Sequence, residues 1–212
     1  ALAGQHMKKA TMELGGHAPV LIFKDADLDV AVSEMLASKF RNAGQVCIAP
    51  TRFLIEREVY DQVVEKIKQQ VEALKVGNGL DEGVDVGPMI HARGYTNIQK
   101  LIQNALDKGA QLVCGGHALE GNGYFMQPTV LKDVPFEADC MDKEPFGPLV
   151  LCRAFDSYSE AIQEANRLNF GLAAYAYSRS NKVCLDLGRD IQSGMLTINH
   201  VGLGLPELPF GG

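Results

Sequence analysis

Basic residues are in the minority in this sequence, and that deficit argues against several classes of partner. The 212 residues contain 20 Lys and Arg against 26 Asp and Glu, a formal net charge of −6. Nucleic acids and anionic membrane surfaces bind clustered Lys and Arg, so neither is a predicted partner. No apolar run approaches the roughly 20 residues of a membrane-spanning helix, which argues against a membrane location.

The cysteines and histidines lack the spacings of disulfide frameworks and metal centres. Five cysteines, an odd number with no Cys-x-x-Cys pair and no secretory leader, predict reduced thiols in a cytoplasmic protein. The five histidines are scattered, and Cys114 with His117 supplies at most two of the four ligands of a structural zinc site. No metal site is predicted.

Three common catalytic motifs are also missing. There is no Gly-x-Ser-x-Gly elbow of a serine hydrolase and no glycine-rich run ending in Gly-Lys-Ser/Thr. Gly77 and Gly79 begin a dinucleotide-binding pattern, but Glu82 stands where its third glycine belongs. The loop 77–83 is therefore no fingerprint for a dinucleotide.

The pattern that is present is an alternation of short apolar strands with amphipathic helices. Such alternation favours one α/β domain over residues 1–212, with an open, mainly parallel sheet and helices on both faces. Strands are predicted at 18–23, 52–56, 112–114, 129–131, 149–155, 173–178 and 195–199, and helices at 28–40, 60–74, 91–108, 158–168 and 182–189.

The two ends of the chain add further expectations. Residues 1–10 are typical of the tail of a helix, and 11–14 of a short extended segment before a Gly15-Gly16 bend that indicates close backbone approach. The short strand 112–114 is expected to be buried. The abrupt ends predict a domain cut from a longer protein.

The stretch from Phe40 to Cys47 is the strongest candidate for chemistry. It places a cysteine just after a helix, in a turn containing Gly44 whose backbone N–H groups can point at a thiolate. Arg41, Asn42 and Gln45 bring polar groups beside the thiol. The competing interpretation is a buried cysteine that only packs, the commoner role of a free cysteine.

Glu13 is the candidate proton acceptor for Cys47. Burial between Met12 and Leu14 would raise the pKa of its carboxyl group and suit it to general base catalysis. Strand alternation alone favours the other interpretation, in which Glu13 faces solvent.

Four motifs resemble those of the aldehyde dehydrogenase superfamily and occur in the order found in that family. The resemblance covers essentially the whole chain. They are Met12-Glu13-Leu14-Gly15-Gly16, the Asn-x-Gly-Gln-x-Cys core of 40–47, Glu144-Pro-Phe146-Gly-Pro, and Pro209-Phe210-Gly211-Gly212. The separation of 34 residues between Glu13 and Cys47 also matches.

The resemblance implies a role for each matching position. Cys47 would attack an aldehyde, transfer hydride to NAD or NADP and be left as a thioester, which water activated by Glu13 would hydrolyse. Leu14, Glu144 and Phe146 would contact the nicotinamide and its ribose, and Phe210 would line the aldehyde pocket. The family's cofactor-binding domain, its oxyanion-hole asparagine and its oligomerisation tail match nothing here, so the isolated chain is expected to be inactive and the intact enzyme a homo-oligomer.

Arg41 narrows the expected substrate. Its position, six residues before Cys47, resembles that of the arginine with which succinate-semialdehyde dehydrogenases bind the substrate's distal carboxylate. A guanidinium suits a carboxylate, although an arginine at the end of the 28–40 helix also interacts favourably with the helix dipole.

The sequence departs from the family pattern at three places, and two other functions are compatible with it. The loop 202–207 lacks a serine that often anchors the carboxylate, Ala49 replaces a second cysteine of some members, and His17 replaces a commoner lysine or asparagine. The alternatives are a stand-alone cysteine esterase or thioesterase, for which His17 is the nearest base in the sequence, and a non-catalytic binding domain.

Overall fold

The strands and helices alternate along the chain and form one seven-stranded sheet in a computed structural model that describes all 212 residues. The strands are β1 Ala18–Ile22, β2 Pro50–Glu56, β3 Gln111–Cys114, β4 Thr129–Lys132, β5 Leu149–Phe155, β6 Ala173–Tyr177 and β7 Met195–Ile198. The helices are α1 Leu2–Gln5, α2 Leu28–Phe40, α3 Tyr60–Glu72, α4 Ala92–Asp107, α5 Asp139–Asp142, α6 Tyr158–Ala165 and α7 Asn181–Asp190, with 3₁₀ turns at Arg41–Gly44 and Arg57–Val59.

The sheet has the order β3-β4-β5-β2-β1-β6-β7. Every neighbouring pair is parallel except β3 and β4, which are antiparallel. The central strand β1 is buried at all five positions, as expected of a strand with helices on both faces. The predicted α/β class with an open, mainly parallel sheet is confirmed.

Alternate residues of β1 enter two separate hydrophobic clusters. Val20 and Ile22 pack with residues of α2 and α3 on one face, whereas Leu21 packs with residues of α6 and α7 on the other. A third cluster lies between α4 and one side of β4 and β5. Because successive side chains of a strand point to opposite faces of the sheet, the apolar residues of β1 contribute to the core on both faces.

Local signals in the sequence set the ends of several helices. The Asp27 side chain accepts a hydrogen bond from the Val30 N–H and begins α2, and Ser157 does the same for α6 with Glu160. Gly109, with φ of +102°, follows the end of α4, where glycine accommodates the left-handed conformation that commonly ends a helix.

Three predictions about short segments are wrong. Helix α1 spans only four residues rather than 1–10, and residues 11–14 form no strand because β1 is already paired on both sides by β2 and β6. Strand β3 is not buried: Leu112 is 46% exposed, since β3 is the edge strand and pairs with β4 alone.

The predicted functional motifs lie at the amino ends of the parallel strands. The diglycine precedes β1, Cys47 precedes β2, and Glu144 precedes β5. The carboxyl-terminal Gly211 and Gly212 pack against Gly171 and Gly194, which precede β6 and β7. The motifs therefore converge at the amino ends of the strands. This is the end opposite to the carboxyl ends, where open α/β sheets usually bind ligands.

Candidate active site

The turn that carries Cys47 has an uncommon backbone. Asn42, Ala43 and Gly44 are consecutive residues in the left-handed region, with φ of 52°, 53° and 74°. A non-glycine residue there is strained, and alanine has no side-chain hydrogen bond to offset the strain. The surrounding contacts must therefore hold this turn in place.

Polar side chains of the turn supply those contacts. Asn42 Nδ2 donates to the Gln45 carbonyl at 3.1 Å, and Gln45 Nε2 donates to the Asn42 carbonyl at 3.0 Å. Gln45 Oε1 also accepts from the Ile90 N–H at 2.9 Å. These two side chains, expected beside the thiol, instead fix the shape of the loop that presents it.

The diglycine lies between Glu144 and Cys47. The Gly16 N–H donates to Glu144 Oε1 at 3.1 Å. A Cβ atom added at Gly15 would overlap the Glu144 carboxylate, and one added at Gly16 would overlap the Cys47 carbonyl oxygen. The predicted close backbone approach is confirmed, because only glycine leaves room for both neighbours.

A second glycine contact joins the Cys47 turn to the segment that follows Glu144. A Cβ atom at Gly44 would overlap the Gly147 carbonyl oxygen. Together with the diglycine, this contact brings three of the four sequence motifs to one place.

Cys47, Arg41 and Phe210 line one cleft of about 580 Å³. Its remaining lining is largely apolar and comes from the segments around Cys47 and after β7: Ala37, Val46, Ile48, Ala49, Val201 and Leu203. Cys47 itself is half-buried, and its backbone N–H donates no hydrogen bond within the chain. Cys47 therefore brings a thiol, and a backbone N–H with no acceptor in the chain, to a cleft whose walls are largely apolar.

Glu13 and Leu14 line an adjoining cavity of about 450 Å³, which shares Phe210 with the cleft. Glu13 is exposed, so the expectation of a carboxylate buried in an apolar strand is wrong and the solvent-facing alternative is correct. The reason is that residues 11–14 have no neighbouring strand or helix to cover them.

Several other predicted site residues are also open to solvent. Leu14 is 65%, Phe146 42% and Phe210 49% exposed. Arg41 is exposed, and its guanidinium has no hydrogen-bond or ion-pair partner in the chain. Arg41 directly follows the last residue of α2, so the cleft-lining and helix-end interpretations both describe its position.

Burial near the diglycine changes the acid–base behaviour of two groups. The pKa of the Glu144 carboxyl is raised by burial, against the opposing effects of the Gly16 N–H and the positive charge of Lys39. Lys39, in the last turn of α2, is fully buried with no hydrogen-bond partner for Nζ. Burial lowers its pKa to about 7, opposed by Glu144.

His17 cannot serve as a base for Cys47. It is 1% exposed, with Nδ1 2.7 Å from Thr51 Oγ1 and Nε2 2.9 Å from the Cys140 carbonyl. Burial, with a further contribution from Arg52, lowers its pKa to about 3. Both ring nitrogens are occupied, and no histidine lines the Cys47 cleft.

Sequence patterns gave no signal for Lys39 or for Tyr175. The Tyr175 hydroxyl donates to the Ile48 carbonyl at 2.6 Å and so holds the residue after Cys47. Its place in an Ala-Ala-Tyr-Ala-Tyr strand indicates burial of the ring, but the partner of its hydroxyl depends on how β6 meets the Cys47 loop.

Comparison with known proteins decides the family. The model of the aldehyde dehydrogenase family matches residues 1–212, the whole chain. The chain belongs to the aldehyde dehydrogenase family. The resemblance carried by the four motifs is thereby confirmed.

Two relatives of this aldehyde dehydrogenase chain are bacterial enzymes named for substrates with an acidic group. The succinate-semialdehyde dehydrogenase [NADP(+)] GabD of Escherichia coli K12 is 45% identical over 206 residues, covering 97% of this chain and 43% of the relative. The 4-(hydroxymethyl)benzenesulfonate dehydrogenase TsaD1 of Comamonas testosteroni is 42% identical over 211 residues, covering 100% of this chain and 44% of the relative.

A solved structure agrees with the aldehyde dehydrogenase fold. The crystal structure described as an E. coli NADP-dependent enzyme superposes with a TM-score of 0.95 at 43% identity, covering 98% of this chain and 43% of that one. The chain thus spans less than half the length of the relatives it matches. None of its helices has the length and apolar character needed to cross a bilayer.

Proposed function

We propose that this chain is the nucleophile-bearing catalytic domain of an NAD(P)-dependent aldehyde dehydrogenase that oxidises a semialdehyde acid to a dicarboxylic acid. The cofactor-binding domain of the intact enzyme would lie outside these residues, as the lengths of the relatives suggest. The observation that carries the proposal is the convergence of Cys47, Arg41 and Phe210 on one cleft, with Glu144 across the diglycine from Cys47.

Cys47 is the proposed nucleophile. Its thiolate adds to the carbonyl carbon of the aldehyde, a C–S bond forms, and the oxygen becomes an alkoxide that the Cys47 backbone N–H stabilises. That N–H is free in the structure, which supports this role. A nicotinamide nucleotide supplies the acceptor for the hydride that leaves the same carbon, so the aldehyde is oxidised to a thioester on Cys47.

Glu13 is the proposed general base of the second half-reaction. Its carboxylate takes a proton from water, the hydroxide adds to the thioester carbon, and the C–S bond breaks to release the acid and the Cys47 thiolate. An exposed Glu13 at the edge of a cavity that adjoins the thiol cleft is in contact with the water it needs.

Glu144 fits a nicotinamide ribose. One carboxylate oxygen is held by the Gly16 N–H, and a carboxylate is an acceptor suited to ribose hydroxyls. The exposed side chains of Leu14 and Phe146 provide apolar surface at the same edge of the sheet, where the ring would bind. The residues present therefore suit the nucleotide; whether it is NAD or NADP depends on parts of the enzyme that bind its adenosine half.

Arg41 is the proposed anchor for the acidic group of the substrate. It lines the Cys47 cleft, and its guanidinium has no partner within the chain. The named substrates of the two relatives carry a carboxylate and a sulfonate, both anions that a guanidinium binds well.

The nucleophile and the base are tested by trapping the covalent intermediate. The chain, joined to the cofactor-binding domain, is mixed with succinic semialdehyde and NAD or NADP, and the reaction is quenched in acid. The mass of the peptide that contains Cys47 is then measured by mass spectrometry. We expect Glu13→Gln to accumulate the succinyl thioester and Cys47→Ser to form none. An adduct on another cysteine, or equal nucleotide reduction by Cys47→Ser, contradicts the assignment.

Arg41 is tested by comparing an acidic with a neutral aldehyde. Loss of a charge-assisted hydrogen bond costs about 1.5–3 kcal/mol, so Arg41→Met should raise KM for succinic semialdehyde about tenfold to a hundredfold. KM for butyraldehyde should hardly change. Arg93→Met, which removes an exposed arginine of α4, is the matched control. Equal effects on the two aldehydes would show that Arg41 only ends α2.

The stand-alone cysteine hydrolase is disfavoured by one specific observation. That function needs a histidine base, and His17 has both ring nitrogens bonded away from Cys47. A non-catalytic binding domain predicts a Cys47 that iodoacetamide alkylates no faster than a model thiol.

A further inference from the structure

His17 contacts all three segments that form the candidate site. It lies in the segment of Glu13 and the diglycine, directly after Gly16. Its Nδ1 meets the hydroxyl of Thr51, four residues after Cys47, and its Nε2 meets the carbonyl of Cys140, four residues before Glu144. One buried imidazole therefore links the loops that bear Glu13, Cys47 and Glu144.

The direction of the hydrogen bond between His17 and Cys140 is fixed by chemistry, whereas the single proton of the Thr51 hydroxyl has two possible acceptors. A carbonyl oxygen only accepts, so Nε2–H donates to Cys140 and the neutral ring leaves Nδ1 to accept from the Thr51 hydroxyl. The Ala18 carbonyl, 3.0 Å from Thr51 Oγ1, competes for the same hydroxyl proton. The Phe170 ring packs edge-on against the imidazole, with centroids 6.1 Å apart, and also lines the Glu13 cavity.

The diglycine fits tightly between Glu144 and Cys47. Gly16 donates to Glu144 on one side and leaves no room for a Cβ atom beside the Cys47 carbonyl on the other. Because Gly16 is in close contact on both sides, a small shift at residue 17 would alter the Gly16–Glu144 hydrogen bond and press on the Cys47 loop.

We propose that His17 is a positioning residue, whose imidazole sets the distances between the diglycine, Cys47 and Glu144 by bonding to Thr51 and Cys140. It does not touch the reacting atoms. The proposal rests on the proposed function only in taking Cys47 and Glu144 as site residues, and its test needs neither aldehyde nor nucleotide.

The test measures two properties of this chain: hydrogen exchange of the Gly16 amide by NMR, and the alkylation rate of Cys47 by iodoacetamide, read by peptide mass spectrometry. His17→Phe keeps a planar ring but removes both hydrogen bonds. Loss of a buried hydrogen bond costs about 1 kcal/mol, so we expect exchange of Gly16 to quicken about fivefold or more and the Cys47 rate to change with it.

Tyr60→Phe is the matched control. The Tyr60 hydroxyl donates to the Cys152 carbonyl and accepts from the Asp133 N–H, so this change also removes two buried hydrogen bonds, but away from the site. Compared at equal global stability, Tyr60→Phe should leave Gly16 and Cys47 as in the wild type.

Two Thr51 variants keep the proposal testable if His17→Phe does not fold. Thr51→Val removes the partner of Nδ1 and should shift both measurements in the same direction by less, whereas Thr51→Ser keeps the hydroxyl and should restore them. If His17→Phe, or Thr51→Val in its place, moves Gly16 and Cys47 no more than Tyr60→Phe does, His17 is only a packing residue.

If the proposed function fails while the positioning proposal holds, Gly16 and Cys47 still respond to His17→Phe, but the intact enzyme forms no thioester on Cys47. If instead the positioning proposal fails while the proposed function holds, Gly16 and Cys47 do not respond to His17→Phe, but the intact enzyme forms the thioester on Cys47.

Discussion

Replacing Lys39 with methionine should stabilise this protein at neutral pH. Lys39 is fully buried at the end of α2, and its Nζ has no hydrogen-bond partner. A buried ammonium group loses its hydration, which is costly unless a partner compensates. Methionine has a similar length and no charge, so it fills the same space without that cost.

The magnitude follows from the shift in pKa. Burial lowers the pKa of Lys39 from 10.5 to about 7, so between these values the unfolded chain binds more protons than the folded one. The contribution of Lys39 to the free energy of unfolding therefore rises with pH through this window. Below pH 7 the charge on Lys39 destabilises the fold by about 5 kcal/mol, and above pH 11, where the amine is neutral in both states, its ionisation contributes nothing.

The assay is urea unfolding followed by circular dichroism at pH 7, 8 and 9. Lys39→Met should be more stable than the wild type by about 4 kcal/mol at pH 7, and this difference should shrink by about 2 kcal/mol at pH 9. Lys100→Met, at an exposed position of α4, is the control and should change stability by less than about 0.5 kcal/mol at every pH.

Two results would refute the reasoning. If Lys39→Met were no more stable than the wild type at pH 7, the ammonium would not be desolvated in the folded protein. If the difference did not depend on pH, the gain would come from packing of the methionine and not from the removed charge.

Two other substitutions test contacts that the fold depends on. Gly16→Ala should destabilise the chain by about 1–3 kcal/mol in urea unfolding and change the alkylation rate of Cys47, because the added Cβ overlaps the Cys47 carbonyl. Gly188→Ala, in open space on helix α7, is the control: it should leave the stability unchanged or raise it, and should leave the alkylation rate of Cys47 unchanged. Arg52→Met should cost about 3–5 kcal/mol by urea unfolding, because it leaves the carboxylate of Glu164 buried without the guanidinium 3.0 Å away. A loss for Arg52→Met no larger than that of a surface substitution would mean that Arg167, the other partner of Glu164, suffices.

Much of the fold follows from local patterns in the sequence. Hydrophobic periodicity identified the long helices and the central strands, because an amphipathic helix or a buried strand must repeat its apolar residues to reach a core. The errors lie in short segments. Residues 11–14 and 112–114 have the composition of buried strands, but pairing and burial depend on which neighbours the rest of the chain provides.

In the candidate site, too, some features followed from local sequence patterns and others did not. The glycines at 15 and 16, the turn before Cys47 and the family motifs were recognisable because their roles require particular residue types at particular spacings. The cytoplasmic location and the homo-oligomer stay predictions, as do the roles of the predicted site residues Cys47, Glu13, Leu14, Glu144, Phe146, Arg41 and Phe210.

What the sequence determined by itself was the α/β class, the positions of its long elements and the family to which its motifs point. Only the tertiary structure decided that the motifs meet at the amino ends of the strands, that Glu13 is exposed, and that His17 and Lys39 are buried among them. The physical reason is that residue type and spacing are local properties, whereas burial and many hydrogen-bond partners depend on segments that are distant in the sequence, as in the contact of His17 with Cys140, 123 residues away.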